Sequence, residues 1–246
     1  KEQSTEIEDT CSTFSGTLPA FSLADVAFAV KERDILNGVT FDILKGSRTV
    51  LLGENGCGKT TLLRLISRLE KPTRGVILQN IDDKFGQKSK QSKKWYKKVG
   101  VVYQNPDYQL FMQTVEKEIK FGAKSDEYAD EIAEKFGIKH LYARHPQSLS
   151  EGQKRRVSIA AVVATDPEVL ILDEPTVGQD YKGLCEMVEV LNKLHEEAHN
   201  TMITVTHDKR CAAALCDKSV WIKNGKTYKT GGKELVDEFF IQIGVN

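Results

Sequence analysis

The segment Gly53-Glu-Asn-Gly-Cys-Gly-Lys-Thr60 fits the spacing G-x-x-x-x-G-K-[ST] between a short apolar run and a helix-forming stretch. Glycines at 53, 56 and 58 let the backbone N–H groups around Asn55 and Cys57 approach phosphate oxygens, and the N-terminus of the following helix adds partial positive charge. Lys59 is then placed to reach β and γ phosphates, the Thr60 hydroxyl to ligate Mg2+, and Thr61 to take part in nucleotide binding. Cys57 lies inside this loop, where a helix N-terminus lowers a thiol's pKa, so a reactive thiolate is expected.

Leu170-Ile-Leu-Asp173-Glu174 is an apolar run ending in two acids, a costly place for charge unless a cation or a reaction uses it. Asp173 would hold Mg2+, and Glu174 would orient and deprotonate the water that attacks a terminal phosphate. A phosphate loop plus an acidic strand suits kinases, GTPases and motor ATPases alike. Ser150-Glu-Gly152-Gln153 has capping-box spacing at a helix start, which also turns a hydroxyl and local N–H groups toward any nearby anion.

These residues need a scaffold of alternating strands and helices. Apolar positions through Leu23, Val26, Phe28 and Val30, then Val39, Phe41 and Ile43, predict early strands, and residues 49–53 a buried one. A helix follows with Leu62, Leu63, Leu65, Ile66 and Leu69 on one side, ending before Pro72. Further strands are expected at 99–103, 169–172 and 202–206, helices from Glu151 and over 181–198, and a hairpin turning at Asn224-Gly225. Polar helical sequence fills 114–143, with Gly122 and Gly137 as breaks and Ser125 as an N-cap. The pattern implies an α/β fold with a mainly parallel, doubly wound sheet.

The chain has 35 basic and 35 acidic residues, so no global field draws nucleic acid, which is not expected as a partner. Its longest unbroken apolar run, Ile159 to Ala164, falls far short of the ~20 residues a membrane span needs. Five cysteines without a C-x-x-C pair suit a reducing, cytoplasmic setting. The polar stretch 1–19 reads as a tail or linker, and the lysine-rich stretch 84–98 as a solvated loop, with anionic lipid heads its alternative use. The first Met is Met112, so the sequence reads as a fragment or a processed chain.

Leu149-Ser-Glu-Gly-Gln153 resembles the LSGGQ signature of ATP-binding-cassette (ABC) ATPases, and the resemblance runs from about Phe21 to at least Gly232. It implies a P-loop NTPase domain over 20–246: a RecA-like core, an antiparallel β-subdomain and an inserted α-helical subdomain at about 106–165. It also implies that two such domains pair head to tail, as a homo- or heterodimer, each signature (Ser150, Gly152, Gln153) closing on ATP held by the other's phosphate loop. By the same resemblance Gln104 links the γ-phosphate and Mg2+ to a membrane partner, His207 contacts the γ-phosphate, and Asp180 is the D-loop aspartate.

Tyr103-Gln-Asn-Pro-Asp-Tyr-Gln-Leu-Phe111, with Gln153-Lys-Arg-Arg-Val157, is similar to the ATPases of energy-coupling-factor importers for vitamins, cobalt or nickel. An integral membrane subunit would then grip near Gln104, Leu110 and Phe111, the last two flooring a groove, and the chain would sit on the inner face of the cell membrane. A soluble ABC switch and a regulatory half-site with little turnover are the alternatives. Three departures stand out: Val30 where relatives place an adenine-stacking aromatic, Glu151 for the signature's first glycine, and Gln179 for an apolar residue before Asp180. The two at the expected dimer face suggest a non-identical ATPase partner.

Overall fold

A computed structural model describes residues 19–31, 33–81 and 95–244. Nearly all of the expected 1–19 tail and most of the lysine-rich stretch lie outside them. In chain order the elements are β1 (Pro19–Val30), β2 (Arg33–Leu44), β3 (Arg48–Leu52), α1 (Lys59–Ile66), β4 (Arg74–Gln79), α2 (Trp95–Lys98), β5 (Val99–Val102), α3 (Val115–Lys120), α4 (Asp126–Lys135) and α5 (Glu151–Val163). There follow β6 (Val169–Asp173), α6 (Tyr181–Ala198), β7 (Thr201–Val205), α7 (Lys209–Ala214), β8 (Lys218–Lys223), β9 (Lys226–Gly231) and α8 (Lys233–Gln242).

Two sheets form. One is antiparallel in the order β2-β1-β4; the other has the order β5-β6-β7-β3-β8-β9 and is parallel except for the β8–β9 hairpin. Period-two alternation divides the side chains of the larger sheet between its faces. Leu51, Ile171, Ile203 and Val205 join a core with β1, β2 and α1, whereas Leu170, Leu172 and Met202 join the core of α3–α6. Val50, Leu52 and Trp221 pack against α8. Burial on both faces is why these strands read as continuous apolar runs.

The helix ends hold one correction. Arg68 adopts a left-handed φ of 58°, and Leu69 N–H reaches back to Arg64 O (2.9 Å) while Arg68 N–H bonds Leu65 O (3.1 Å), a Schellman ending. Leu69 therefore leaves the helix and is exposed instead of extending its apolar side. Strand β4 escapes sequence detection because it is an edge strand, with Val76 and Leu78 facing solvent and only Ile77 packed on the core.

Candidate functional site

β5, β6, β7 and β3 are successive neighbours, so their C-terminal ends bring four distant sequence segments to one rim. β3 runs into the glycine loop and α1, β6 ends in Asp173 and Glu174, β7 leads to His207, and β5 leads to Gln104. The cavity there, about 340 Å³, is lined by Asn55, Gly56, Gly58, Lys59, Thr60, Thr61, Gln104, Asp173, Glu174 and His207.

The loop's conformation demands its glycines. Gly58 caps α1 at a φ of 104°, and a Cβ there would sit 2.5 Å from Leu36 Cδ2. A Cβ on Gly53 would meet Cys57 Sγ and the Ile222 carbonyl at 2.5 Å, while Gly56 faces open space where a phosphate can approach its backbone. Lys59 is buried, and its Nζ donates to Gly53 O (2.6 Å) and Glu54 O (3.0 Å), so it is held at the loop's mouth.

Asp173 and Glu174 are both buried. The Thr60 hydroxyl donates to Asp173 Oδ2 at 3.4 Å, placing two oxygen ligands side by side. Burial raises the Asp173 carboxyl, against the pull of the Thr60 hydrogen bond, Arg155 and Lys59. Burial pushes Glu174 up to about 7, opposed mainly by the hydrogen bond from the His207 backbone N–H to Oε2 (3.2 Å). Its Oε1 has no hydrogen-bond partner and lies 3.5 Å from His207 Nε2. Glu174 also has a left-handed φ of 56°, an unfavourable conformation for a non-glycine residue. A buried, strained carboxylate with one oxygen unpartnered is suited to accept a proton from something entering the cavity. Burial and then Lys59 lower the pKa of His207, favouring the neutral ring.

A hydroxyl, a buried carboxylate and an exposed amide suit an ion such as Mg2+, which keeps phosphate and water among its ligands. Among the described residues no group of three or more His, Cys, Asp or Glu forms an all-protein cage.

The other sequence candidates gather elsewhere. Ser150 and Gln153 form a capping box at the start of α5, with Ser150 N–H donating to Gln153 Oε1 (3.1 Å) and Gln153 N–H to the Ser150 hydroxyl (3.3 Å). Asp180 caps α6 through Gly183 N–H (2.7 Å). Gln179 joins these two helix starts by donating its amide to Gly152 O (2.8 Å), and Glu151 pairs with Lys154 (3.2 Å). None of these residues lines the cavity.

The ABC transporter family profile matches residues 36–177. The chain belongs to the ABC transporter ATPases. It is 40% identical over 221 residues to the energy-coupling factor transporter ATP-binding protein EcfA2 of Enterococcus faecalis, spanning 83% of this chain and 74% of that one. The EcfA2 of Bacillus subtilis is 40% identical over 210 residues, or 81% and 76% of the two chains. Among solved structures, cbiO1 of Clostridium perfringens, part of the ABC transporter complex cbiONQ, matches with a TM-score of 0.77 and 32% identity over 89% of this chain and 91% of that one. The cassette MJ0796, seen as a dimer with ADP and Pi, matches at 0.75 and 26% identity over 87% and 98%. The fold is thus that of the family's P-loop NTPases, and an ABC ATPase binds ATP and hydrolyses it.

Within this ABC ATPase some expectations change. The Cys57 thiol is pushed up by burial, which outweighs the Lys59 charge and disfavours the expected thiolate, and Cys57 faces a neighbouring cavity with Glu54. The pair Leu110 and Phe111 divides: Leu110 is buried in the core of α3–α6, and Phe111 is 67% exposed, its ring edge-on to that of exposed Phe121. Leu110 cannot floor an open groove. Val30 is exposed and brings no ring. Arg33 and Ile35, unmarked by any motif, also line the cavity because β2 passes over the loop. Among the described residues no helix is long and apolar enough to cross a membrane.

Proposed function

We propose that this chain is the ATP-hydrolysing subunit of an energy-coupling-factor type importer for a vitamin or a transition-metal ion. It would work on the cytoplasmic side, peripheral to the membrane. The observation behind this reading is the convergence of Lys59, Thr60, Gln104, Asp173, Glu174 and His207 on one cavity, with Ser150 and Asp180 on separate helix starts that a second ABC ATPase domain would complete. Residues 20–246 then form one nucleotide-binding domain with the helical part at about 106–165 inserted in it.

In this reading the glycine loop and Lys59 hold the phosphates, and Thr60, Asp173 and Gln104 would hold Mg2+, which would neutralise negative charge on the phosphates. Glu174 Oε1 accepts the proton of the attacking water, giving ADP and phosphate, while neutral His207 steadies the γ-phosphate. The exposed rings of Phe111 and Phe121 offer an apolar contact for a membrane subunit's helix near Gln104.

Glu174→Gln should keep ATP binding and lower turnover by about 10²–10⁴-fold, the usual value of a general base. Unchanged turnover would remove Glu174 from the chemistry. Light scattering of this variant with and without Mg-ATP tests the pairing. A doubled mass supports a homodimer, and a persistent ATP-binding monomer points to a different ATPase partner.

A further inference from the structure

Arg155 lies one turn inside α5 and is only 2% exposed. Its guanidinium has no carboxylate within ion-pairing distance among the described residues, although the more distant charges of Asp173, Glu174 and Glu151 partly offset its burial. One terminal nitrogen donates to Tyr103 O (2.6 Å) and the other to Gln104 O, while Nε has no hydrogen-bond partner. Burying a guanidinium against two carbonyls costs several kcal/mol that an apolar residue of similar length would avoid. The carbonyls it grips belong to the residue that enters the nucleotide cavity and the one before it. The adjacent Lys154, also buried, donates to Asp107 Oδ1 (2.9 Å), so two consecutive residues of α5 bind the loop after β5. From behind, Gln109 accepts the Tyr103 N–H (2.9 Å) and donates to Val101 O (2.7 Å).

We propose that Arg155 is a positioning residue for Gln104, fixing the loop after β5 to the helix whose first turn carries Ser150 and Gly152. The proposal rests on the reading of Gln104 as a nucleotide-site residue. It adds a physical link between this chain's own ATP cavity and the signature it offers to the other ATPase. The two carbonyls are held by a fork that a single ammonium reproduces in part and a thioether not at all.

The test uses the full chain with Arg155→Met and Arg155→Lys. Amide hydrogen exchange is read at the hydrogen-bonded amides of Tyr103, Asp107 and Tyr108 and, for comparison, in β6 and α4. Arg155→Met should speed exchange in 103–108 by about tenfold with β6 and α4 unchanged, as expected from loss of charge-assisted hydrogen bonds, and Arg155→Lys should restore part of the protection. ATP turnover, read with this chain assembled with its ATPase partner, should lose about tenfold in kcat with KM within about twofold, because the phosphate loop is untouched. Unchanged exchange in 103–108 overturns the proposal. So does uniform acceleration across the helical layer without rescue by Lys, which would mark Arg155 as a packing residue. Gln104→Ala separates the two claims: if it leaves kcat intact, the reading of Gln104 fails even where exchange shows Arg155 holding the loop.

Discussion

Glu174 offers a prediction that needs neither partner nor substrate. In the folded chain its carboxyl, 4% exposed, holds a proton until about pH 7, whereas the ordinary value is 4.5. Between those values the unfolded chain has released the proton and the native one has not. Stability therefore falls as pH rises through this window, and the loss is complete above pH 7. At about 1.4 kcal/mol for each pH unit, ionised Glu174 costs the fold about 3 kcal/mol near pH 8. Glu174→Gln keeps the shape and removes the charge. In nucleotide-free buffer with EDTA the variant should melt about 6–12 °C above the parent near pH 8, given about 2–4 °C per kcal/mol for a domain of this size. The difference should shrink towards pH 4.5 and close below it, where the carboxyl is protonated in the folded and the unfolded chain alike. Melting curves across this range decide the matter. An equal gap at both ends, or a variant less stable near pH 8, would refute burial as the cause of the raised carboxyl.

Other outcomes follow from single contacts. Lys59→Ala should weaken ATP binding by about 10²-fold, the value of a lost charge-assisted contact, and calorimetry showing parental affinity would contradict its role at the phosphates. Alkylation of Cys57 should be slow near pH 7 and speed up about tenfold per pH unit, since only the thiolate reacts; a rate already at its plateau near pH 7 would show that the helix terminus outweighs burial. Ser150→Ala should cost about 1 kcal/mol in urea unfolding through loss of the α5 cap, with this chain's own ATP affinity unaltered, and coupled losses would contradict the separation of the two sites. Phe111→Asp should leave stability within about 0.5 kcal/mol, because the ring is exposed, yet abolish co-purification with a small membrane protein; retained co-purification would move the contact elsewhere.

What the amino-acid order determines here is local. Spacing within a few residues specifies the glycine loop, the Ser150 capping box and the Asn224-Gly225 hairpin, since each is a backbone conformation set by neighbouring residue types. Apolar runs such as 169–172 specify strands buried on both faces. Lys59, Asp173 and Glu174 were legible for the same reason, and Gln104 and His207 through the family's order of motifs. The tertiary structure decided the rest. Only the strand order β5-β6-β7-β3 sets residues more than a hundred positions apart around one cavity. Which of two adjacent apolar residues turns inward, Leu110 or Phe111, depends on helices that pack from elsewhere in the chain. The raised Glu174 carboxyl and Cys57 thiol, and the two carbonyls that Arg155 grips, come from burial and long-range contact. Burial is a property of the whole packed chain, so no window of sequence contains it.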